Sequence, residues 1–303
     1  MTYLRRLPKF EYVGARSVRE VSDLLARRPD ETRLLAGGTD LILQMRRREV
    51  APRYLVGLKG VSELAFVRQQ EDGGMTMGAL TTFQDIETSP LIREKYGILS
   101  QTASQIGGVE IRGVATIGGN LMGAQPCSDF PAPLITLGAK VKLVGKDGER
   151  LVALEDFFPE YGRTVAAPDE ILTEILLPAT SKLSGGCYLK FHDRHAMDMT
   201  ITGAAAFVTL NDDRQTCSEL KIALSSSAPV PKRVKKAGAF LQGKKLTEDA
   251  LEETAALACQ EAEPRSSWRA RREFRLELIR GLTKRAVRQA WEEVMATANG
   301  GRK

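Results

Sequence analysis

The sequence has few of the side chains that bind metals. Its 303 residues include only four cysteines and two histidines. The cysteines are far apart, no C-x-x-C pair occurs, and His192 and His195 show no metal-ligand or catalytic-triad spacing. This pattern argues against a zinc site or an iron–sulfur cluster held by this chain alone, and it favours a reducing cytoplasm. We therefore predict neither a metal ligand nor a catalytic residue in this chain.

Long apolar runs are also absent. No stretch reaches the roughly 18 consecutive apolar residues of a membrane-spanning helix. The N-terminus carries a charged pair, Arg5 and Arg6, but no apolar segment typical of a secretory signal. We therefore expect a cytoplasmic protein without a membrane span. The composition, 43% hydrophobic and 27% charged, is typical of a globular chain, and its length fits two domains or three small ones.

The usual nucleotide-binding fingerprints are missing as well. Neither G-x-G-x-x-G nor G-x-x-x-x-G-K-[ST] occurs, which argues against the Rossmann and P-loop sites. The net charge of +6 is modest. The most basic run, residues 265–288, is interrupted by Glu273 and Glu277 and lacks aromatic platforms, so we expect no nucleic-acid partner.

Two Gly-Gly segments are the main chemical signal. We call residues 34–41 the first glycine motif and residues 116–120 the second glycine motif. They consist of Leu34, Leu35, Ala36, Gly37, Gly38, Thr39, Asp40 and Leu41, and of Thr116, Ile117, Gly118, Gly119 and Asn120. Glycine lets backbone N–H groups converge on an anion, and a following helix adds its positive end. Each motif alone is compatible with a simple tight turn, but their similar flanks favour one shared phosphate ligand.

Two aspartates near these motifs have two interpretations each. Asp40 and Asp129 can either bind a ligand or cap the helix that follows, and capping is the default expectation. The polar segment 190–198 interrupts an apolar context, so it is a candidate for a ligand-facing edge.

The secondary-structure pattern predicts an α+β fold. Residues 1–50 read as a βαβα unit, and Lys146-Asp147-Gly148 lies between two strand-like runs as in a hairpin. A linker is expected at residues 179–187. Beyond it, alternating strands are followed by helical periodicity to the end of the chain.

Four segments together resemble one family. They are residues 36–41, residues 115–121, Pro126-x-Ser128-Asp129 and Arg194-x-Ala196-Met197-Asp198. The chain resembles, over nearly its whole length, the flavin-binding (medium) subunits of the molybdenum hydroxylases: xanthine dehydrogenase, aerobic carbon monoxide dehydrogenase and 4-hydroxybenzoyl-CoA reductase. The resemblance implies two small α/β subdomains, residues 1–55 and 56–178, forming a PCMH-type FAD-binding module. A C-terminal domain of antiparallel strands and helices, residues 185–295, would follow.

The resemblance also implies the cofactor and its contacts. Both glycine motifs would wrap the FAD diphosphate with backbone N–H groups, and Asp129 would lie near the nucleotide. Three further positions match family residues at FAD: Ile106, Leu172 and Lys190. Ile171, next to Leu172, is also expected to contact the cofactor. Ile106 departs from the pattern, because xanthine dehydrogenase has an aromatic residue there.

The implied role is electron transfer within a heteromeric complex. A large molybdopterin-binding subunit would act on the substrate, and a small subunit would carry electrons across [2Fe-2S] clusters to the FAD. An external carrier such as NAD, a quinone or ferredoxin would complete the path. The alternative is a stand-alone flavin-dependent oxidoreductase of the same FAD-binding fold.

Overall fold

The computed structural model describes residues 6–194 and 197–298, and its N-terminal unit is a small parallel sheet with two helices. Its elements are β1 (Glu11–Gly14), α1 (Val18–Arg27), β2 (Thr32–Leu35), α2 (Leu41–Arg47) and β3 (Tyr54–Gly57). The strand order is β1-β3-β2, and both pairs run parallel. Ser17 caps α1 by accepting a hydrogen bond from the Glu20 amide, and α1 buries Val21 and Leu25.

The middle unit is a five-stranded antiparallel sheet with short helices. Its elements are β4 (Val67–Gln69), β5 (Met75–Gly78), α3 (Phe83–Thr88), α4 (Pro90–Lys95), α5 (Gly97–Ser104), α6 (Val109–Arg112), α7 (Ile117–Met122), α8 (Pro131–Thr136), β6 (Lys140–Gly145), β7 (Gly148–Ala153) and β8 (Ile171–Leu177). The order is β4-β5-β8-β6-β7, so β8 lies between β5, which is distant in sequence, and β6. The hairpin between β6 and β7 turns at Gly148, as the sequence predicts.

The C-terminal unit is an antiparallel sheet followed by helices. Its elements are β9 (Ser184–Phe191), β10 (Thr202–Leu210), β11 (Cys217–Ser225), β12 (Lys232–Arg233), α9 (Lys235–Leu241), α10 (Glu248–Glu261) and α11 (Arg272–Ala298). The order is β12-β11-β10-β9. The α+β class and this layout are therefore confirmed.

The C-terminal sheet packs against other parts of the protein on both of its faces. Tyr188, Ala205 and Ala223 are register partners that join the core of the middle unit. Cys187 and Ala206 point to the opposite face and join the core formed with α11. Because successive strand residues alternate between faces, this sheet lies between the middle unit and its own helices.

Several boundaries differ from the sequence-based expectation. The proposed boundary after residue 55 falls inside β3, so the N-terminal unit extends at least to Gly57. The predicted linker is shorter, because β9 already begins at Ser184. The second glycine motif is not a turn before a helix: Gly118 and Gly119 lie within the first turn of α7. Among the described residues, no helix is long and apolar enough to cross a membrane.

Candidate cofactor site between the glycine motifs and the C-terminal sheet

The first glycine motif connects β2 to α2 and leaves backbone donors free. Gly38 has φ +74°, a left-handed conformation that favours glycine. The amide N–H groups of Gly37, Gly38 and Thr39 donate to no acceptor within residues 6–194 and 197–298. These amides precede the N-terminus of α2, where backbone dipoles favour negative charge. The motif can therefore bind an anionic oxygen.

The two glycine motifs lie against each other. A Cβ on Gly37 would lie 1.9 Å from the Val114 carbonyl oxygen, so any side chain at this position would separate them. A Cβ on Gly119 would lie 4.0 Å from the Cβ of Ala36. The structure thus brings together the two segments that the sequence separates by about 80 residues, as expected for walls of one site.

The second glycine motif uses its amides inside the protein. Ile117 N–H donates to the Thr81 carbonyl, and Gly118 N–H donates to that of Ala79. The Gly119 amide donates to the Thr116 hydroxyl, which caps α7, and the Asn120 amide donates to the Thr116 carbonyl. Four of the five amides of this motif thus have acceptors within the protein, and a contact of its backbone with the diphosphate stays a prediction.

Gly118 allows two backbone segments to pack closely. A Cβ on Gly118 would lie 2.6 Å from the Cβ of Ala79 and 2.7 Å from its carbonyl oxygen. Only glycine lets α7 approach the segment after β5 this closely.

The second glycine motif provides a side-chain group that can form a hydrogen bond with a ligand. Asn120 donates from Nδ2 to the Ser128 hydroxyl at 3.4 Å, whereas its buried Oδ1 has no partner among the described residues. A buried acceptor without a donor is costly, so a ligand hydroxyl is the natural complement. Free amides on one side and this amide oxygen on the other fit a ligand with both phosphates and hydroxyl groups. FAD, with its diphosphate and ribityl chain, is such a ligand.

Both aspartates depart from the capping expectation. Asp40 occupies the N-cap position of α2, but its side chain makes no capping hydrogen bond. Its backbone is helical, with φ −99° and ψ −49°. Capping normally requires an extended N-cap residue, and Asp40 is not one. Asp129 does not cap α8, because its carboxylate faces the C-terminal sheet.

Asp129 is the centre of a buried network. Its Oδ1 accepts hydrogen bonds from the Tyr188 and Thr200 hydroxyls, both at 2.6 Å. Its Oδ2 lies 2.7 Å from Nζ of Lys190, and the two side chains are 8% and 2% exposed. Burial, and then the Asp129 charge, raise the pKa of Tyr188 well above its usual value. The sequence identified Asp129 and Lys190 but missed Tyr188 and Thr200; only the alternate spacing of residues 188 and 190 hinted at a shared face.

Three other residues that are predicted to contact FAD have side chains partly or fully buried among protein atoms. Ile106 is partly buried against the core of the middle unit. Ile171 and Leu172 are 2% and 3% exposed, and they point to opposite faces of β8, one into the N-terminal core and one into the middle core. Their contact with FAD stays a prediction.

The segment after β9 is organised around one carboxylate. The amides of Asp193, Arg194 and Met199 donate to the carboxylate of Asp198, and Arg269 lies 3.4 Å from it. Burial alone would raise the pKa of Asp198, but these hydrogen bonds lower it to about 2. A Cβ on Gly108 would lie 3.7 Å from the Met197 sulfur. This segment of the C-terminal unit therefore lies close to Gly108, two residues after Ile106. His195 and Ala196 of the predicted motif lie outside the described residues.

Charges from all three units meet near Cys127. Burial raises the pKa of its thiol, and the carboxylates of Asp129 and Asp40 raise it further, whereas Arg269 lowers it. The three charged residues come from the middle, N-terminal and C-terminal units respectively. The candidate site therefore lies near a junction of the three units.

Two family models match the chain and together cover most of it. "FAD binding domain in molybdopterin dehydrogenase" matches residues 8–180. "CO dehydrogenase flavoprotein C-terminal domain" matches residues 187–290.

Individual relatives match over nearly their full length. The chain is 34% identical to the xanthine dehydrogenase FAD-binding subunit of Escherichia coli O157:H7, covering 95% of this chain and 97% of that one. It is 31% identical to the carbon monoxide dehydrogenase medium chain of Hydrogenophaga pseudoflava, covering 94% and 98%. A solved structure of carbon monoxide dehydrogenase from Hydrogenophaga pseudoflava superposes with a TM-score of 0.91 at 30% identity, over 95% of this chain and 99% of that chain. The chain therefore belongs to the FAD-binding subunits of the molybdenum hydroxylase family, the oxidoreductase family that includes xanthine and carbon monoxide dehydrogenases.

Proposed function

We propose that this chain is the electron-relay subunit of a heteromeric molybdenum hydroxylase. In this role it binds FAD, receives electrons from the [2Fe-2S] clusters of a small partner subunit, and passes them to an external carrier such as NAD, a quinone or ferredoxin. A large molybdopterin-binding subunit acts on the substrate. The relatives support this role, because their names include "medium chain" and "FAD-binding subunit". We also propose a cytoplasmic location, supported by four free cysteines.

The observation that carries the proposal is the set of unpaired groups at the two glycine motifs. The amides of residues 37–39 would hold the diphosphate, and Asn120 Oδ1 would accept from a neighbouring hydroxyl of the cofactor. The Thr116 hydroxyl, which accepts from the Gly119 amide, would donate its own hydrogen to a cofactor oxygen. Bound FAD supplies the redox chemistry, whereas the protein binds, orients and shields it. We assign no proton transfer to any side chain of this chain.

The remaining contacts are proposed from the family resemblance. Ile106, Ile171, Leu172 and Lys190 would lie along the FAD, and Asp129 would lie near the nucleotide. Ile106 replaces an aromatic residue, so it would contribute apolar contact without ring stacking.

The decisive experiment is affinity purification of the tagged chain from its native source. The relay role predicts two co-purifying subunits, bound molybdenum and iron, and flavin absorbance at about 450 nm, a property of the cofactor. Substrate added to the complex should bleach this band, whereas the isolated yellow chain should not respond. A chain that purifies alone and is bleached by its own substrate would instead support a stand-alone flavin oxidoreductase.

A further inference from the structure

An exposed apolar surface lies around the segment that follows β9. Its side chains, all close to half exposed or more, are those of Val109, Met197, Met199, Trp268 and Phe274. We call these five residues the apolar patch. Trp268 is 87% exposed, which is unusual for so large an apolar side chain. Single apolar residues are ordinary on a protein surface, whereas a group of them indicates a face that another protein covers.

The apolar patch joins the middle and C-terminal units. Met197 belongs to the segment after β9, and its sulfur lies 3.7 Å from where a Cβ on Gly108 would be. Val109 follows Gly108 and begins α6 of the middle unit. Met197 and Val109 are therefore neighbours on one surface, although 88 positions separate them in the chain.

Arg269 connects the patch residues of the C-terminal unit. Its Nη2 lies 3.5 Å from the Met199 sulfur, and its guanidinium carbon lies 4.7 Å from the centre of the Trp268 ring. A guanidinium above an aromatic face is held there by cation–π attraction. Phe274, in the first turn of α11, packs edge-on against Phe191 at the end of β9, so it lies beside the same segment.

Asp198 holds the two methionines in fixed positions. Its carboxylate is 5% exposed and accepts hydrogen bonds from three backbone amides, one of them that of Met199. Arg269 pairs with it at 3.4 Å. Met197 has φ +53°, a left-handed conformation that is rare for a bulky residue and persists only where its surroundings enforce it. A surface fixed in advance loses little conformational entropy on binding, which favours docking.

The side of the patch next to α11 is basic. Residues 264–275 include five arginines and one glutamate. Arg265, Arg271 and Arg272 are exposed, and none of them forms an ion pair within the described ranges 6–194 and 197–298. Tryptophan, methionine and arginine are the residues enriched in protein interfaces, and tryptophan and arginine are frequent binding hot spots there. The complementary surface is therefore that of a protein with an apolar centre and carboxylates opposite these arginines.

The apolar patch borders the candidate cofactor site. Gly108 lies two residues after Ile106, which is predicted to contact FAD. Arg269 lies within electrostatic reach of the Cys127 thiol, as does Asp40 of the first glycine motif. In a relay, the subunit that delivers electrons has to contact the chain near its cofactor. The patch is thus in the position that such a subunit needs.

We propose that the apolar patch is the docking surface for the small [2Fe-2S] subunit, which covers Trp268 with an apolar pocket and places carboxylates opposite Arg271 and Arg272. This inference rests on the proposed relay function and adds the contact surface to it. A permanent subunit explains the exposed tryptophan, because assembly removes its ring from water. A transient carrier would leave the ring in water in every enzyme molecule without a bound carrier.

The test is affinity purification of the complex through a tag on this chain, with each variant replacing the wild-type chain in the native source. Trp268→Ser removes the ring, and Arg271→Glu combined with Arg272→Glu reverses two charges. We expect either variant to lower the iron and the small subunit recovered per tagged chain at least about tenfold, as for the loss of an interface hot spot.

Two controls make the same kinds of change elsewhere on the surface. Leu151→Ser removes an apolar side chain that is 53% exposed on β7 of the middle sheet. Lys59→Glu reverses an exposed charge after β3. Both should recover the small subunit as the wild type does. Flavin absorbance per tagged chain shows, independently of any partner, that each variant is folded.

The outcomes separate the explanations. Recovery of the small subunit at control level in both patch variants would overturn the inference. Loss of the large subunit with the small one retained would overturn it in favour of a contact with the molybdopterin-binding subunit. Complete assembly combined with slower reduction of an external carrier would overturn it in favour of a carrier site. Absence of both subunits from the wild-type purification would instead refute the proposed function.

Discussion

The glycines of the two motifs do different physical work, although the sequence presents them as a pair. Gly38 has a left-handed backbone, whereas Gly37 and Gly118 allow backbone segments to approach closely. A Gly-Gly pair indicates only that a Cβ at these positions would be unfavourable. Whether the reason is conformation, packing or a ligand depends on neighbours that are remote in sequence, such as Val114 for Gly37.

We predict that Gly37→Ala destabilises the apoprotein and lowers its FAD content. The new Cβ would overlap the Val114 carbonyl at 1.9 Å, and overpacking of this kind costs about 1–3 kcal/mol. The measurement is chemical denaturation together with flavin absorbance. The control is Gly281→Ala in α11, where a Cβ meets nothing within 4 Å; it should raise the free energy of unfolding by about 0.5–1 kcal/mol. Equal stability of the two variants would contradict the contact between the motifs.

We predict that Asn120→Asp weakens FAD binding at least about tenfold, a loss of about 1.4 kcal/mol. The new carboxylate would place negative charge beside the proposed diphosphate site. Titration of apoprotein with FAD measures the effect. Asn211→Asp is the control, because Asn211 lies at the exposed turn between β10 and β11 and bonds Thr216. Unchanged FAD affinity in Asn120→Asp would remove this side chain from the site.

At the scale of elements, length decided what could be predicted. The helices α10 and α11 and the hairpin of β6 and β7 have patterns long enough to read from the sequence. The helices α6 and α7 have four and six residues, less than two turns, so no periodicity reveals them. For α7 the available signal was Thr116 as an N-cap residue, and the two glycines that follow obscured it.

The segment after β9 gives a pH-dependent prediction. The lowered pKa of Asp198, about 2, means that its ionised form stabilises the folded state above the unfolded-state value of roughly 4. This contribution is lost as the pH falls from there towards 2. Asp198→Asn should therefore lower stability at neutral pH, with a difference from wild type that shrinks under acid. Denaturant unfolding at a series of pH values checks it; a constant difference would exclude ionisation as the cause.

For the whole molecule, the C-terminal sheet contributes Tyr188 and Lys190 to the hydrogen-bond network around Asp129 of the middle unit. The family resemblance predicted the cofactor and the order of units, because the glycine motifs and Asp129 are visible in sequence. It did not predict the partners of Asp129, since Tyr188, Lys190 and Thr200 lie 59, 61 and 71 residues away, in the C-terminal sheet or just before one of its strands. Contacts of that kind depend on how sheets pack, and local sequence does not record it.

This junction predicts that FAD stabilises the entire chain against unfolding. A ligand bound only by the folded state adds about 2.7 kcal/mol at a free concentration 100 times its dissociation constant. Thermal unfolding of the apoprotein with and without FAD should show one transition shifting upward in the wild type. Asn120→Asp should shift less at the same FAD concentration. Stabilisation limited to one of two separate transitions would mean that the C-terminal sheet folds independently of the site.

The unpaired amides of residues 37–39 have a consequence for hydrogen exchange. Amides without an acceptor exchange with solvent deuterium quickly, even where the surrounding sheet is protected. In the flavin-free chain, these positions should lose their protons at once, beside slowly exchanging strands β2 and β3. Once phosphate oxygens accept their hydrogen bonds, the same amides should become protected. Isotope labelling of this one segment would thus record whether the cofactor is in place.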